Sequence, residues 1–281
     1  MSLKNKVIFV TGASRGIGLA IALRAARDGA RIAVCAKTVS EDRRLPGTIY
    51  TAAKEIEEAG GHALAIQLDV RDEEQVRHAM QRTVEAFGGI DIVVNNAGAI
   101  QLSNTENTEM KRYDLMHSIN ARAVFMVTKY ALPHLKQSSN AHVLNLSPPI
   151  NLDPGWFAEN VAYTVSKYGM SLYTLGMARE FKKYGIAVNS LWPETAIDTS
   201  AVRNLLGGEA SVKRSRKADI MADAAHYIFQ QDAASFTGQF LLDGEVLKLS
   251  GVEDLSHYSC VPGNELLSDF FIGAAPEKVK F

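Results

Sequence analysis

The chain has 281 residues, 47% of them hydrophobic and 22% charged, with a formal net charge of −1. These are the proportions of an ordinary globular protein; they give no electrostatic ground for binding nucleic acid or an anionic membrane, and no apolar run reaches the roughly 20 residues that cross a bilayer. Two cysteines, Cys35 and Cys260, make neither a metal-binding spacing nor a disulfide framework, and the opening MSLKNKVIFVTG enters a strand with no room for a signal peptide, so a reducing cytoplasm and no metal are expected.

Strand-like and helix-like segments alternate. Residues 6–12 (KVIFVTG) form a short apolar run closed by glycine, the first predicted strand. Residues 15–28 repeat apolar side chains at helical spacing and stop at Gly29. RIAVCAK is the second strand, with Cys35 expected as an inert core thiol. A polar stretch over 38–47 precedes a helix at about 49–59, which Gly60 and Gly61 close. HALAIQLDV is the third strand, 72–87 an amphipathic helix, and IDIVVNNAG the fourth strand. A long helix is predicted over 109–136, then the fifth strand AHVLNLS, the proline-rich loop PPINLDPGW and a helix over 157–184. IAVNSLWP is the sixth strand, 194–217 a variable segment, 218–231 a helix and FTGQFLLDG the seventh strand.

Short, almost continuously apolar strands are expected when helices cover both faces of a parallel sheet. With right-handed crossovers they give an α/β, single-domain, doubly wound parallel sheet of the Rossmann type, its core at about 6–244 and its ligand beyond the carboxyl ends of the strands. The tail over 251–281 has no clear period; it is read as wrapping a subunit or covering the active site.

TGASRGIG at 11–18 follows a predicted strand and opens a predicted helix, the context in which a glycine turn holds a dinucleotide pyrophosphate. Gly12 permits the tight turn, Gly16 lets the backbone approach the phosphates, and Gly18 lets the helix pack close to the strand, with Ser14, Arg15 and Ile17 between them. The second strand ends in Ala36, Lys37 and Thr38, where an NAD site usually has an acidic residue. A carboxylate there repels a 2′-phosphate and a lysine attracts it, and Arg15 adds a second positive charge. NADP (as NADPH) is therefore expected over NAD; two solvated surface cations are the plainer alternative. Asp69, followed by Val70, either meets the adenine amino group or serves the next helix as a cap. Asn95, Asn96, Ala97 and Gly98 end the fourth strand, small residues passing close to a ribose and asparagines tying neighbouring strands. Tyr163 and Lys167, four apart, share one helix face. Beside a nicotinamide they describe a phenol that moves a proton; a core tyrosine next to a solvated lysine is the plain alternative.

In this order TGASRGIG, LDV, FGGIDIVVNNAG, SINARAVF, AYTVSKYGM, NSLWP and FTGQFLLDG resemble the short-chain dehydrogenase/reductase family over about 6–244. In detail CAKT, GTIYTAAKEIE, LNLSPPINLDPGWF and LWPETAI are similar to its hydroxysteroid dehydrogenase-like subgroup, whose animal members carry an added sterol-carrier domain. No stretch here is long enough for that domain, and the final VKF does not read as a peroxisomal address.

The resemblance implies an NADP-dependent oxidoreductase that transfers a hydride between the nicotinamide and a carbonyl or hydroxyl carbon of a small or lipid-like substrate. Tyr163 would be general acid in reduction and general base in oxidation. Lys167 would hold the nicotinamide ribose and favour the phenolate of a group whose free pKa is about 10. Asn120 would hold a water that relays protons, and the helices at 109–136 and 157–184 would pair into a homodimer or homotetramer. One feature departs from the family: where relatives have two serines after the fifth strand, this chain has Ser147 and Pro148, and the working position falls on proline. A one-residue shift on a regular strand turns a side chain to the other face, so Ser147 serves only if the strand end twists; Asn151 is a second candidate donor. Pro193, with Glu194 in place of the usual glycine, would lie near the nicotinamide, and Ile197 and Thr199 near its carboxamide. Residues 198–217 would form a substrate lid whose basic run faces either solvent or an anionic substrate such as a coenzyme A thioester. Two functions stay open. The Tyr163, Lys167 and Asn120 set supports the oxidoreductase. The Ser147-Pro148 pair supports an NADP-binding protein of low catalytic activity, acting as a sensor or interaction module.

Overall fold

The apolar runs pair edge to edge, each parallel to its neighbour. The structure, a computed structural model, describes residues 2–42 and 45–274. The strands are β1 (Val7–Thr11), β2 (Arg31–Ala36), β3 (His62–Gln67), β4 (Ile92–Asn95), β5 (Ala141–Asn145), β6 (Ile186–Trp192) and β7 (Phe240–Leu242). Their order is β3-β2-β1-β4-β5-β6-β7, all parallel. The order reverses between β1 and β4, which opens a crevice at the carboxyl ends of those strands.

The helices are α1 (Gly16–Ala26), α2 (Ile49–Glu58), α3 (Glu73–Phe87), α4 (Met110–Met116), α5 (Ala123–Leu135), α6 (Gly155–Ala158), α7 (Val161–Phe181), α8 (Ser200–Leu205), α9 (Gly208–Val212), α10 (Asp219–Phe229) and α11 (Asp243–Leu249). Successive strand residues point to opposite faces: Ile8 and Val10 join a core layer with α1, α2, α10 and α11, while Phe9 joins one with α3, α5 and α7. Cys35 is buried in the second layer, as expected of an inert thiol. Local chemistry sets the helix ends. Thr48 and Thr51 form a reciprocal capping box on α2, and Asp72 caps α3, which Gly88 ends in the left-handed region.

Four expectations need correction. The long helix at 109–136 is α4 and α5 joined through a π-helical turn over His117–Arg122. The helix at 157–184 is broken before Val161 and continues after Phe181 as a 3-10 turn. β7 has three residues, because α11 begins at Asp243, where Asp243 and Glu245 put negative charge at a helix N-terminus. The variable segment contains α8 and α9.

The aperiodic tail has a fixed course. It crosses the carboxyl end of β6, where Leu267 pairs with Arg214 and Ala196, and Asp269 donates its N–H to the Glu194 carbonyl at 3.1 Å. Phe271, 1% exposed, sits in an aromatic box with Trp156, Tyr168 and Trp192 at ring separations of 5.7, 5.2 and 6.0 Å. This strap covers one side of the crevice, one of the two roles expected of the tail; positions 275–281, with the VKF end, lie outside the described residues.

Candidate active site

The glycine turn leaves β1 and opens α1 at the crevice, with Gly12 and Gly16 at φ +69° and +59°, a region that disfavours other residues. A Cβ on Gly18 would lie 2.4 Å from Asn96 Nδ2 and 2.8 Å from the Gly12 carbonyl, so Gly18 sets the closeness of helix and strand and does not itself line the cleft. α1 starts with no acidic residue in its first turn and no side chain capping its N–H groups. A helix N-terminus with free donors behind a permissive turn suits a pyrophosphate. The cleft in front holds about 470 Å³. Ser14, Arg15, Ile17, Val70, Ala97 and Gly98 line it. The adjacent asparagines divide the work. Asn96 lines the cleft and donates to the carbonyls of Thr11 and Gly12, tying β4 to β1. Asn95 does not reach the cleft: its amide points into the core and donates to Asn145 and Thr128, the one-residue alternation of a strand.

At the end of β2 the cleft wall carries Lys37 and Thr38, and Ala36 leaves no carboxylate at that position. Lys37, 58% exposed in its side chain, stands 3.3 Å from Asp69. Arg71 hydrogen bonds hold the Asp69 carboxyl well below the usual carboxylate range, with the Lys37 charge adding to that. The Arg15 guanidinium donates to the carbonyls of Leu45, Pro46 and Gly47, fixing that turn beside the cleft.

α7 carries Tyr163 and Lys167 into the same cleft, with Pro193 and Ile197 opposite. Lys167 Nζ donates to the Leu146 carbonyl at 2.6 Å and lies 4.8 Å above the Trp192 ring. Among the described residues the Tyr163 hydroxyl has no hydrogen-bond partner. The expectation that the ammonium and a positive nicotinamide ring together favour the phenolate concerns the cofactor-bound site; in the protein alone burial governs both groups. Burial pushes the Tyr163 phenol well above its usual range, with the charge of Asp269 adding to that. Burial pulls the Lys167 ammonium down to about 7, with Asp269 opposing the shift. For the phenol, desolvation is the largest cause, and both causes raise it.

Asn120 lies in the π-helical turn, a local widening of the helix often found at functional sites. Its Oδ1 accepts from the Ala99 N–H at 2.8 Å, and its Nδ2 donates to the Ala99 carbonyl and to Ser166. It pins the turn after β4 to α7 and does not line the cleft. Ser147 is turned away from the cleft. Its hydroxyl shares a 2.8 Å hydrogen bond with Ser190, which in turn bonds Thr174. The strand end does not twist enough to bring it round, so the geometry removes Ser147 from the substrate side. Asn151 is no free donor either, since its Nδ2 donates to the strap carbonyls of Phe271 and Gly273. Glu194 ties the tail: its backbone N–H donates to Asp243, its carbonyl accepts from Asp269, and its side chain pairs with Arg216 at 3.4 Å. In the basic run Lys213, Arg214, Arg216 and Lys217, Arg214 pairs with Glu265 and Arg216 with Glu194, both at 3.4 Å, and Lys217 donates to the His257 carbonyl, so those three charges meet groups of the protein itself. Sequence reasoning missed Asp269 and Phe270, which the strap brings into the cleft wall; an aperiodic tail gives no signal for them.

A parallel sheet of this order, a glycine turn at its switch point, and a Tyr/Lys pair across the cleft define a dinucleotide-dependent oxidoreductase scaffold. Residues 6–209 match the short chain dehydrogenase family, and the chain belongs to it. The hydroxysteroid dehydrogenase-like protein 2 of Danio rerio is 56% identical over 275 residues, an alignment that covers 98% of this chain and 66% of that protein. The chain thus spans about two thirds of the length of that relative. The crystal structure of a short chain dehydrogenase from Mycobacterium thermoresistibile is 51% identical with a TM-score of 0.92, covering 98% of each chain. More distant structures differ in cofactor. One is a metagenomic short-chain oxidoreductase in complex with NADP, 26% identical, TM-score 0.71, covering 86% of this chain and 98% of that one. Another is an NADH-dependent reductase, 30% identical, TM-score 0.70, covering 85% and 96%. Cofactor choice is therefore a matter for the residues of this chain.

Proposed function

We propose that the protein is an NADP-dependent carbonyl reductase in which Tyr163 delivers the proton. One observation carries the reading: Tyr163 and Lys167 line the same cleft as the glycine turn and Lys37. Gly12, Gly16 and the α1 N-terminus would hold the pyrophosphate, and Lys37, Thr38 and Arg15 the 2′-phosphate. Pro193, Ile197 and Thr199 would border the nicotinamide, which supplies the hydride when bound. Tyr163 polarises the substrate carbonyl and gives its proton to the oxygen as charge develops there. Lys167, at the edge of its own protonation range, restores that proton. A phenol that holds its proton favours reduction over oxidation. A second chamber of about 680 Å³ adjoins the cleft, walled by Trp156, Leu206, Leu266, Leu267 and Ile272, which suits a substrate with an apolar arm. NADPH consumption with straight-chain aldehydes of increasing length tests the function. The reading requires turnover whose kcat/KM rises with chain length, and no turnover across such a panel would favour the sensor alternative.

The same proposal makes a cofactor prediction. Lys37→Ala is expected to weaken NADPH binding by about tenfold or more, the loss of one charge-assisted bond, with NADH binding nearly unchanged. Dissociation constants for both reduced cofactors check this; an equal change in both would remove Lys37 from the phosphate site.

An assembly through α5 and α7 belongs to the proposal too. Large apolar side chains stand exposed there, among them Phe125 at 48% and Leu172 at 57%, more than an isolated helix face ordinarily shows. Leu172→Glu is expected to shift a dimer or tetramer toward monomer in light scattering; a wild type that is monomeric at micromolar concentration would refute it. A cytoplasmic setting is proposed on the same chemistry, and fractionation with an antibody to the native chain decides it.

A further inference from the structure

We propose that Asp269 stands in for the serine hydroxyl missing at Pro148: its carboxyl group, in the protonated form, donates a hydrogen bond to the substrate oxygen that Tyr163 protonates. The inference rests on the oxidoreductase reading and adds a second group that touches substrate.

The position comes first. Asp269 lines both the cleft and the largely apolar chamber beside it, and among the described residues only Val202, Leu206 and Phe270 share that double placement. A substrate with its carbonyl at Tyr163 and its apolar arm in the chamber must pass this residue. The strap holds it there through its own N–H on the Glu194 carbonyl at 3.1 Å and through Trp192 Nε1, which donates to the Phe270 carbonyl at 2.9 Å. Two residues on, Phe271 adopts φ +70°, an uncommon conformation for a bulky side chain that persists where the surroundings over-determine it.

The orientation follows. Oδ1 accepts from the Phe270 N–H at 2.6 Å. Among the described residues Oδ2 has no hydrogen-bond partner, and the residue is half-buried and lines the two chambers. One oxygen is fixed and the other is unpartnered, on a residue that lines both chambers. The groups that face it are Lys167 and Tyr163 on α7, Asp243 at the start of α11, and Glu194 with its partner Arg216 after β6. Burial, with the charge of Asp243, pushes the Asp269 carboxyl up to about 7, while Lys167 pulls the other way. A carboxyl group whose pKa burial raises keeps its acid form to higher pH, and in that form it is an effective donor to a developing oxyanion. The other candidates are accounted for: Ser147 bonds Ser190, Asn151 holds the strap, and Pro148 has no donor.

The test compares wild type with Asp269→Asn and Asp269→Ala, using an aliphatic aldehyde that the wild type reduces. Asp269→Ala is expected to lower kcat/KM by ~10²-fold or more with NADPH affinity unchanged. Asp269→Asn keeps a donor, so it stays within about tenfold of wild type. Its decline in rate as pH rises through about 7 is shallower than the wild type's, because Lys167 still loses its proton there while Asp269 no longer does. A carbon-13 titration of the carboxyl, assigned by its disappearance in Asp269→Asn, should have its midpoint in the neutral range and needs no turnover. An alanine variant as fast as wild type, an asparagine variant as slow as alanine, or a midpoint near the ordinary ~4 overturns the proposal. Failure of the wild type to reduce any carbonyl compound overturns the oxidoreductase reading instead.

Discussion

Tyr163→Phe is expected to lower carbonyl reduction by ~10³-fold while NADPH binding changes less than about twofold. A positioned general acid contributes ~10²–10⁴ to rate, and the other nearby hydroxyls are directed elsewhere. The substitution removes a single oxygen. The ring keeps its place against Phe270 and Phe271, whose centroids lie 6.2 and 6.4 Å away. Because the phenol oxygen has no partner among the described residues, its loss orphans no buried donor or acceptor. The melting temperature should stay within a few degrees, so lost activity would report chemistry and not unfolding. The acid–base sign is also fixed. With its pKa pushed up by burial, the phenol stays protonated through neutral and mildly alkaline pH, so a fall in rate above neutrality would come from Lys167 or Asp269 and not from Tyr163. A phenylalanine variant that kept the wild-type rate would mean that another group delivers the proton.

The sheet and its cleft were legible in the sequence because both rest on local patterns. Apolar runs such as KVIFVTG and IDIVVNNAG declare buried parallel strands, and Gly12, Gly16 and Gly18 mark a turn whose backbone needs no side chain. Tyr163 and Lys167 were legible because helix periodicity alone places them together. What failed was finer than the pattern. Asn95 against Asn96, and Ser147 against Pro148, differ by one residue at strand ends, where alternation sends one side chain to the core and the other to the cleft. The direction of the Tyr163 shift depends on how dry the site is, and no spacing records that. The strap was illegible for a different reason. Its contacts are with Trp156, Tyr168 and Trp192, residues about 80 to 115 positions away, so its own sequence carries no period.

Phe271→Ala is expected to free the strap over 270–274 while leaving the sheet folded. Truncating a buried phenylalanine costs ~3–5 kcal/mol, and alanine keeps the unfavourable positive φ. Leu267 and Asp269 keep their backbone bonds to Arg214, Ala196 and Glu194, so what the ring chiefly held is the stretch 270–274, where a small set of side-chain hydrogen bonds remains. Trp192 donates to the Phe270 carbonyl at 2.9 Å, Asn151 to Gly273 at 2.6 Å, and Trp156 to Gly273 at 3.4 Å. Each contributes about 1 kcal/mol net, so over 270–274 they do not exceed what the ring supplied. The two large core layers on either face of the sheet contain no strap residue, and the loss should therefore appear as local opening and not as global unfolding. Amide exchange over 270–274 should quicken by ~10²-fold, as a change of about 3 kcal/mol in local stability requires, with the melting temperature lowered by only a few degrees. Carbonyl reduction should fall as well, because Phe270 leaves the cleft wall, whereas the glycine turn and Lys37 still bind NADPH. Phe271→Gly, which relieves the backbone conformation but removes the same ring, should exchange more slowly than the alanine variant. If both variants kept wild-type protection and wild-type reduction, the aromatic box would not be what holds the tail over the active site.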